Sequence, residues 1–211
     1  MAGLFIALEG PEGAGKTTLL RRLAHHIREH GIETVEVREP GGTPLAEAAR
    51  TLVLDPAVGA PPAAELFLLL AARADLVERV IRPALARSAA VLSDRYDLST
   101  MAYQVEGRGL PREAVIAANR LATGGLTPDV MLVLDVPAEV GRARQAAAGK
   151  TPDRMEREDE ALHERVVRAF GAAQGPGVIH VDATQTPEAV EAAAWKVVAG
   201  RVRETFGLTT G

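Results

Sequence analysis

The stretch Gly10-Pro11-Glu12-Gly13-Ala14-Gly15-Lys16-Thr17 has the composition and spacing of a polyphosphate site. A glycine, four intervening residues and then Gly-Lys-Thr let consecutive backbone N–H groups turn inward around an anion, with the start of a helix behind them. In such a loop Lys16 reaches the β- and γ-phosphates and Thr17 sets its hydroxyl on Mg²⁺. The bland reading is a Gly-rich structural turn. The placement of the loop between an apolar run and a helical pattern argues against it. The motif points to a nucleoside triphosphate and is silent on what is done with it.

Other candidate groups follow other apolar runs. Ser93-Asp94-Arg95-Tyr96 offers an aspartate suited to a Mg²⁺ site and an arginine able to make bidentate bonds to phosphate. Taken alone, such a pair is usually a surface salt bridge; its place after a buried run points to function. Arg38-Glu39-Pro40-Gly41-Gly42-Thr43 reads as a rigid turn opening a helix that carries Arg50. Arg73 lies four residues after Leu69, on the same helical face. An arginine on an apolar face needs an anionic partner or must snorkel at the core edge. Gly141-Arg142-Ala143-Arg144 and Lys150-Thr151-Pro152-Asp153-Arg154-Met155-Glu156 form a cationic, broken segment, either a lid over phosphates or a solvated face. Asp182-Ala183-Thr184-Gln185 stands where a loop could border a nucleobase. His25, His26 and His30 read as surface residues, and no metal site beyond Mg²⁺ is expected.

These groups need elements to hold them. Five short runs, 4–8, 34–37, 90–93, 130–134 and 178–181, are near-continuously apolar, as strands buried on both faces are. Helical spacing fills 16–30, 45–54, 63–87, 111–123, 138–148, 159–174 and 188–206. Strand and helix in alternation imply right-handed crossovers, an α/β fold and a parallel sheet with helices on both faces. Ligands then gather at the carboxyl ends of the strands, which is where the motifs above fall.

The chain has 211 residues, 24 basic and 28 acidic, for a formal charge of −4, with 47% hydrophobic residues. That suits one domain, 1–211, and excludes a disordered tail or fibrous repeat. The acidic balance argues against nucleic-acid or anionic-membrane binding, which need a basic surface. Zero cysteines exclude disulfides and thiolate chemistry. No apolar run reaches membrane-spanning length and no signal peptide is evident, so a cytoplasmic location is expected.

Together the motifs resemble those of the bacterial-type thymidylate kinase family over nearly the whole chain. The matching segments are the phosphate loop from Glu9 to Thr18, Arg38 to Thr43, Asp94-Arg95-Tyr96, Ser99-Thr100-Met101-Ala102-Tyr103-Gln104, Asp153 to Glu156 and Asp182-Ala183-Thr184. The resemblance implies a three-layer P-loop NTP hydrolase-type fold with a five-stranded parallel sheet, a lid near 142–157 and a homodimer. It also implies transfer of the ATP γ-phosphate to dTMP with Mg²⁺. By it, Gly10, Pro11, Glu12, Gly13, Ala14, Gly15, Lys16, Thr17 and Thr18 hold ATP, and Thr17 and Asp94 serve the metal. Glu12 faces the deoxyribose, Arg95 and Arg73 clamp the dTMP phosphate, and Arg50 and Gln104 line the thymine pocket. Thr100 contacts the base and Tyr103 crowds the sugar 2′ position.

Two positions depart from the family pattern. Leu69 stands where a phenylalanine usually stacks on thymine. Ala148 stands where lids of this type carry an arginine, leaving Lys150, Arg154 and Arg144 as candidate lid cations. Two other classes stay open from the residues alone: a P-loop kinase acting on a hydroxyl acceptor, with Glu12 as base, and a regulatory ATP-binding module. For the dimer, Leu66 and Leu70 are expected to extend an apolar patch on the 63–87 helix toward a second copy.

Overall fold

The computed structural model describes residues 3–147, 149 and 153–208. Five parallel strands, β1 (Leu4–Glu9), β2 (Thr34–Arg38), β3 (Ala90–Asp94), β4 (Val130–Asp135) and β5 (Val178–Asp182), line up in the order β2-β3-β1-β4-β5. The chain works outward from β1 to one edge, then returns to build the other. The loop after β1 therefore sits where the strand order reverses, the place at which such sheets bind ligands. Each strand runs one residue past its apolar stretch to end on a charged side chain: Glu9, Arg38, Asp94, Asp135 and Asp182. Register sets these ends side by side in two pairs, Arg38 with Asp94 and Asp135 with Asp182, while Glu9 extends one residue beyond the Leu8–Asp94 pair.

Around the sheet lie α1 (Lys16–Glu29), α2 (Pro44–Leu54), α3 (Pro62–Leu76), α4 (Arg82–Ala86), α5 (Asp97–Thr100), α6 (Arg112–Thr123), α7 (Ala138–Ala147), α8 (Glu160–Gly171) and α9 (Pro187–Phe206). β1 is buried along its whole length. Leu4, Ile6 and Leu8 pack with Leu19, Leu23 and Ile27 of α1 and with Val198 of α9, while Phe5 and Ala7 face Leu76, Ile81 and Tyr96. Full burial of each such aliphatic side chain contributes roughly 1.5–3 kcal/mol.

The 63–87 helix is continuous but changes pitch. A π-helical turn, Val77–Ile81, joins α3 to α4 just before Pro83, whose missing N–H and ring cannot fit an α-helical ladder. A second π-helical segment, Met101–Gly107, continues α5. The sequence reading assigned no helix to 97–107, because polar site residues break its apolar periodicity. The expected dimer role of Leu66 and Leu70 is corrected by their packing. Both are 6% exposed and pack inward against Val105 and Val115, whereas Phe67 beside them is 65% exposed. The stripe seals α3 on to the π segment and α6.

Candidate active site

The phosphate loop follows β1 as expected. Gly10 has φ 134°, and a Cβ there would lie 2.6 Å from the Leu134 carbonyl oxygen; Gly13 has φ 72°, and its Cβ would lie 2.2 Å from that of Gly141. Both positions require glycine for conformation and for space. The second contact lays α7 directly against the loop. α1 begins at Gly15 with no side-chain cap, unlike α2, α8 and α9, which Thr43, Asp159 and Thr186 cap. Its first N–H groups are thus open to an anion.

Lys16 Nζ donates to the carbonyls of Gly10 at 3.0 Å and Pro11 at 2.8 Å. Burial, reinforced by the nearby Arg95 charge, lowers its pKa to about 7. Thr17 Oγ1 donates to Asp94 Oδ2 at 2.5 Å. These two oxygens are hard donors of the kind Mg²⁺ takes, and no cluster of three metal-binding side chains occurs among the described residues. The remaining ligands of such an ion would be phosphate oxygens and water. A groove beside Gly15, Thr18, Arg144, Ala183 and Gln185 borders the loop on its other side, where the sequence placed a nucleobase.

Across the loop lies an open cleft of about 120 Å³. Glu12, Arg50, Leu69, Arg73, Arg95, Thr100, Tyr103 and Gln104, from six separate elements and loops, all line it. Arg95 adopts φ 75°, which turns its side chain back over the loop. Its Nη1 donates to Gly10 O at 3.2 Å and to Ser99 Oγ at 3.0 Å, and its guanidinium lies 5.3 Å from the Tyr103 ring centre. The Tyr103 hydroxyl lies 3.5 Å from Glu12 Oε1. Arg50 spends one bond, Nη1 to Pro40 O at 2.9 Å, and burial together with Arg38 and other neighbours depresses its pKa.

Arg73 is differently placed. It is 3% exposed, and its Nε donates to Glu39 Oε2 at 2.6 Å. Nη1 donates to Thr100 Oγ1 at 2.8 Å and Asn119 Oδ1 at 2.6 Å, and Nη2 to Tyr96 O at 2.8 Å. Four of its five N–H groups are engaged. Its charge is matched by Glu39, whose own carboxyl is pushed up to about 7, chiefly by burial. Glu39 Oε1 is buried with no hydrogen-bond partner among the described residues.

Three supporting residues escaped the sequence reading. Glu39 lies in a quoted motif but was given no role, and Asn119 carried no signal. Glu9 is buried and accepts from Tyr96 N, Ser99 N and Ser99 Oγ, which pins the strand-end loop carrying Arg95. Its position at the end of the first strand was the one available clue. Arg154 is not brought to the phosphate loop: its guanidinium bonds Glu65 and donates to Val53 O at 2.6 Å. Lys150 lies outside the described residues.

The cleft opens directly beside the phosphate loop, with Glu12 of the loop in its lining. A family model described as thymidylate kinase matches residues 8–194. The chain is 50% identical over 197 residues to a thymidylate kinase of Pseudomonas putida, covering 90% of this chain and 92% of that one. It is 46% identical over 202 residues to that of Deinococcus radiodurans, covering 94% and 98%. Against that of Pseudomonas entomophila the identity is 48% over 211 residues, covering 98% and 100%.

Proposed function

The chain belongs to the thymidylate kinase family, and from that premise we propose that it transfers the γ-phosphoryl group of ATP to dTMP, giving dTDP and ADP on the route to dTTP. One observation carries the reading at the level of the site. The phosphate loop and the arginine-lined cleft meet at Arg95, Glu12 and Tyr103, so a donor on the loop and an acceptor in the cleft bring their phosphates together.

The geometry supports a division of labour that exchanges two expected roles. Arg95 and Arg50 clamp the acceptor phosphate, since both line the cleft and Arg50 keeps donors unspent. Arg73, neutralised by Glu39 and bonded to Thr100, faces the pyrimidine. Gln104 and Leu69 complete the base pocket, Tyr103 crowds the sugar 2′ position, and Glu12 lies toward the deoxyribose. Mg²⁺, held near Thr17 and Asp94, neutralises the β- and γ-phosphate charge when bound. The acceptor phosphate is itself the nucleophile: one of its oxygens forms a bond to the γ-phosphorus as the bond to ADP breaks. Lys16 and Arg95 stabilise the charge in transit, and no general base is needed. A hydroxyl acceptor, with Glu12 as base, is disfavoured because two arginines would then face no anion.

The whole chain acts as one kinase domain with a lid near 142–157. Arg154 docks that lid, which leaves Lys150 and Arg144 as the cations for the transferring group. A cytoplasmic homodimer is the form expected of it; among the described residues no helix is long and apolar enough to cross a membrane. Calorimetric titration with dTMP alone tests the clamp. One site per chain is expected, lost in Arg95→Met and Arg50→Met but kept in Lys16→Ala; binding indifferent to both arginines would refute it.

A further inference from the structure

Glu65 sits in the first turn of α3, one turn before Leu69 and two before Arg73, so all three share a helical face. Its side chain is fully buried. Oε1 accepts from Gln104 Nε2 at 2.9 Å and from Arg108 Nε at 3.2 Å. Oε2 accepts from Arg108 Nη2 at 3.0 Å and from Arg154 Nη2. Arg154 comes from the segment between α7 and α8, and that segment is further tied down by its backbone N–H to Leu54 O at 3.1 Å. Glu158 of the same segment accepts from Arg108 Nη2 at 2.6 Å. Two carboxylates and two guanidiniums thus form a balanced, partly buried cluster around the fully buried Glu65, and its disruption on one side leaves that carboxylate short of a partner.

Burial raises the Glu65 carboxyl, but hydrogen bonds from Arg108, Arg154 and Gln104 outweigh it and hold the pKa below the usual carboxylate range. An ionised carboxylate only accepts. The Gln104 amide must therefore turn its NH₂ to Glu65, which aims its carbonyl oxygen away from Glu65, and Gln104 lines the cleft.

We infer that Glu65 is a positioning residue that makes the cleft select a 4-keto pyrimidine and couples that selection to docking of the 153–158 segment. A 4-keto pyrimidine offers N3–H, a donor that meets the Gln104 carbonyl. Its 4-oxygen is an acceptor suited to Arg73, which lines the same cleft and has four of its five N–H groups engaged among the described residues. A 4-amino pyrimidine reverses both: its bare N3 faces an oxygen, and its amino group faces an N–H. Mismatched buried polar groups of this kind discriminate strongly. The same carboxylate holds Arg154, so the fixed amide and the docked segment depend on one group.

This inference rests on the proposed phosphoryl transfer to dTMP, and its test separates the two. In steady-state assays with ATP and Mg²⁺, dTMP and dCMP are compared in the wild type and in Glu65→Gln, which keeps the shape but supplies its own NH₂. The dTMP KM should rise about tenfold, on the scale of one misdirected buried hydrogen bond. The preference for dTMP over dCMP in kcat/KM should narrow by a similar factor, with the ATP KM within about twofold. A variant that melts lower but keeps the dTMP KM and the preference would overturn the inference and leave Glu65 structural. If Glu65→Gln does not fold, Arg154→Met removes only the lid side of the junction. It should raise the dTMP KM about threefold or more with the ATP KM unchanged; an unchanged dTMP KM overturns the coupling. A wild type inactive on dTMP overturns the transfer reading and this one together, whereas an active wild type with an unchanged variant overturns this one alone.

Discussion

At Leu69 the cleft has an aliphatic wall where a flat aromatic face would stack on the base. An aromatic contact is worth ~0.5–1.5 kcal/mol beyond area burial. Leu69→Phe should therefore lower the dTMP KM by a few-fold to about tenfold with little change for ATP. A flat or raised dTMP KM would show that the pocket has been shaped around leucine. Phe67 does not substitute for it: two residues along the helix, it is 65% exposed. Glu39 gives a second consequence, in stability against pH. Its folded pKa is about 7 against an ordinary 4.5, so the native state holds the proton more tightly than the unfolded chain. The stability of the wild type should then carry a component that is full below pH 4.5, falls as pH rises to 7 and is flat above. The loss is about 1–3 kcal/mol, and Glu39→Gln should abolish it. Urea unfolding at pH 5 and pH 7.5 measures the difference, and equal pH slopes in the two proteins would contradict it.

At the scale of elements, the contact between the phosphate loop and α7 is the tightest in the site. Gly13→Ala would drive a Cβ into the Gly141 carbonyl at a φ of 72°. We expect a loss of about 2 kcal/mol or more in stability and a matching loss of ATP affinity. Thermal melting with and without ATP reads both, and a variant as stable and as tight as the wild type would mean the loop does not lean on α7. The central strands β1, β3 and β4 were legible because they are largely buried and read as near-continuous apolar runs. The edge strands β2 and β5 are only partly buried, with Glu36 and His180 exposed, and were read from their valines and isoleucine. Their last residues were not, since Glu9, Asp94 and Asp182 are charged and belong to strands only through their neighbours' ladders. Segment 97–107 was missed because Ser99, Thr100, Tyr103 and Gln104 line the cleft rather than follow an amphipathic period. The phosphate loop declares itself in local sequence. The partners of Arg73 do not: Glu39 and Asn119 stand 34 and 46 residues away, and only the fold brings them together. The same distance problem hid the contacts on which we propose exchanged duties for Arg50 and Arg73.

At the scale of the whole molecule, five large hydrophobic side chains stay exposed among the described residues: Leu45, Leu52, Phe67, Ile116 and Leu121, all on α2, α3 and α6. Leu45 and Leu52 are seven residues apart and share a face of α2. α3 packs beside both α2 and α6, which makes this surface, rather than Leu66 and Leu70, the face on which a second copy is expected. Light scattering at micromolar concentration should give twice 22.3 kDa, and Phe67→Asp should shift it toward the single-chain mass. A wild-type mass of 22.3 kDa would contradict the dimer.

The account turns on a phosphoryl group passing from the loop to the cleft, and transfer of labelled γ-phosphate from ATP, with Mg²⁺, to a panel of nucleoside monophosphates follows that event itself. The label should appear in dTDP, with dTMP preferred over dCMP, dAMP and dGMP. Lys16→Ala, folded as judged by its melting curve, should slow the transfer ~100-fold or more, the effect of removing one preorganised electrostatic contact. Label released only as inorganic phosphate, or carried equally to every monophosphate, would contradict the assignment of the cleft. Lys16→Ala retaining more than about a tenth of the rate would contradict the assignment of the loop.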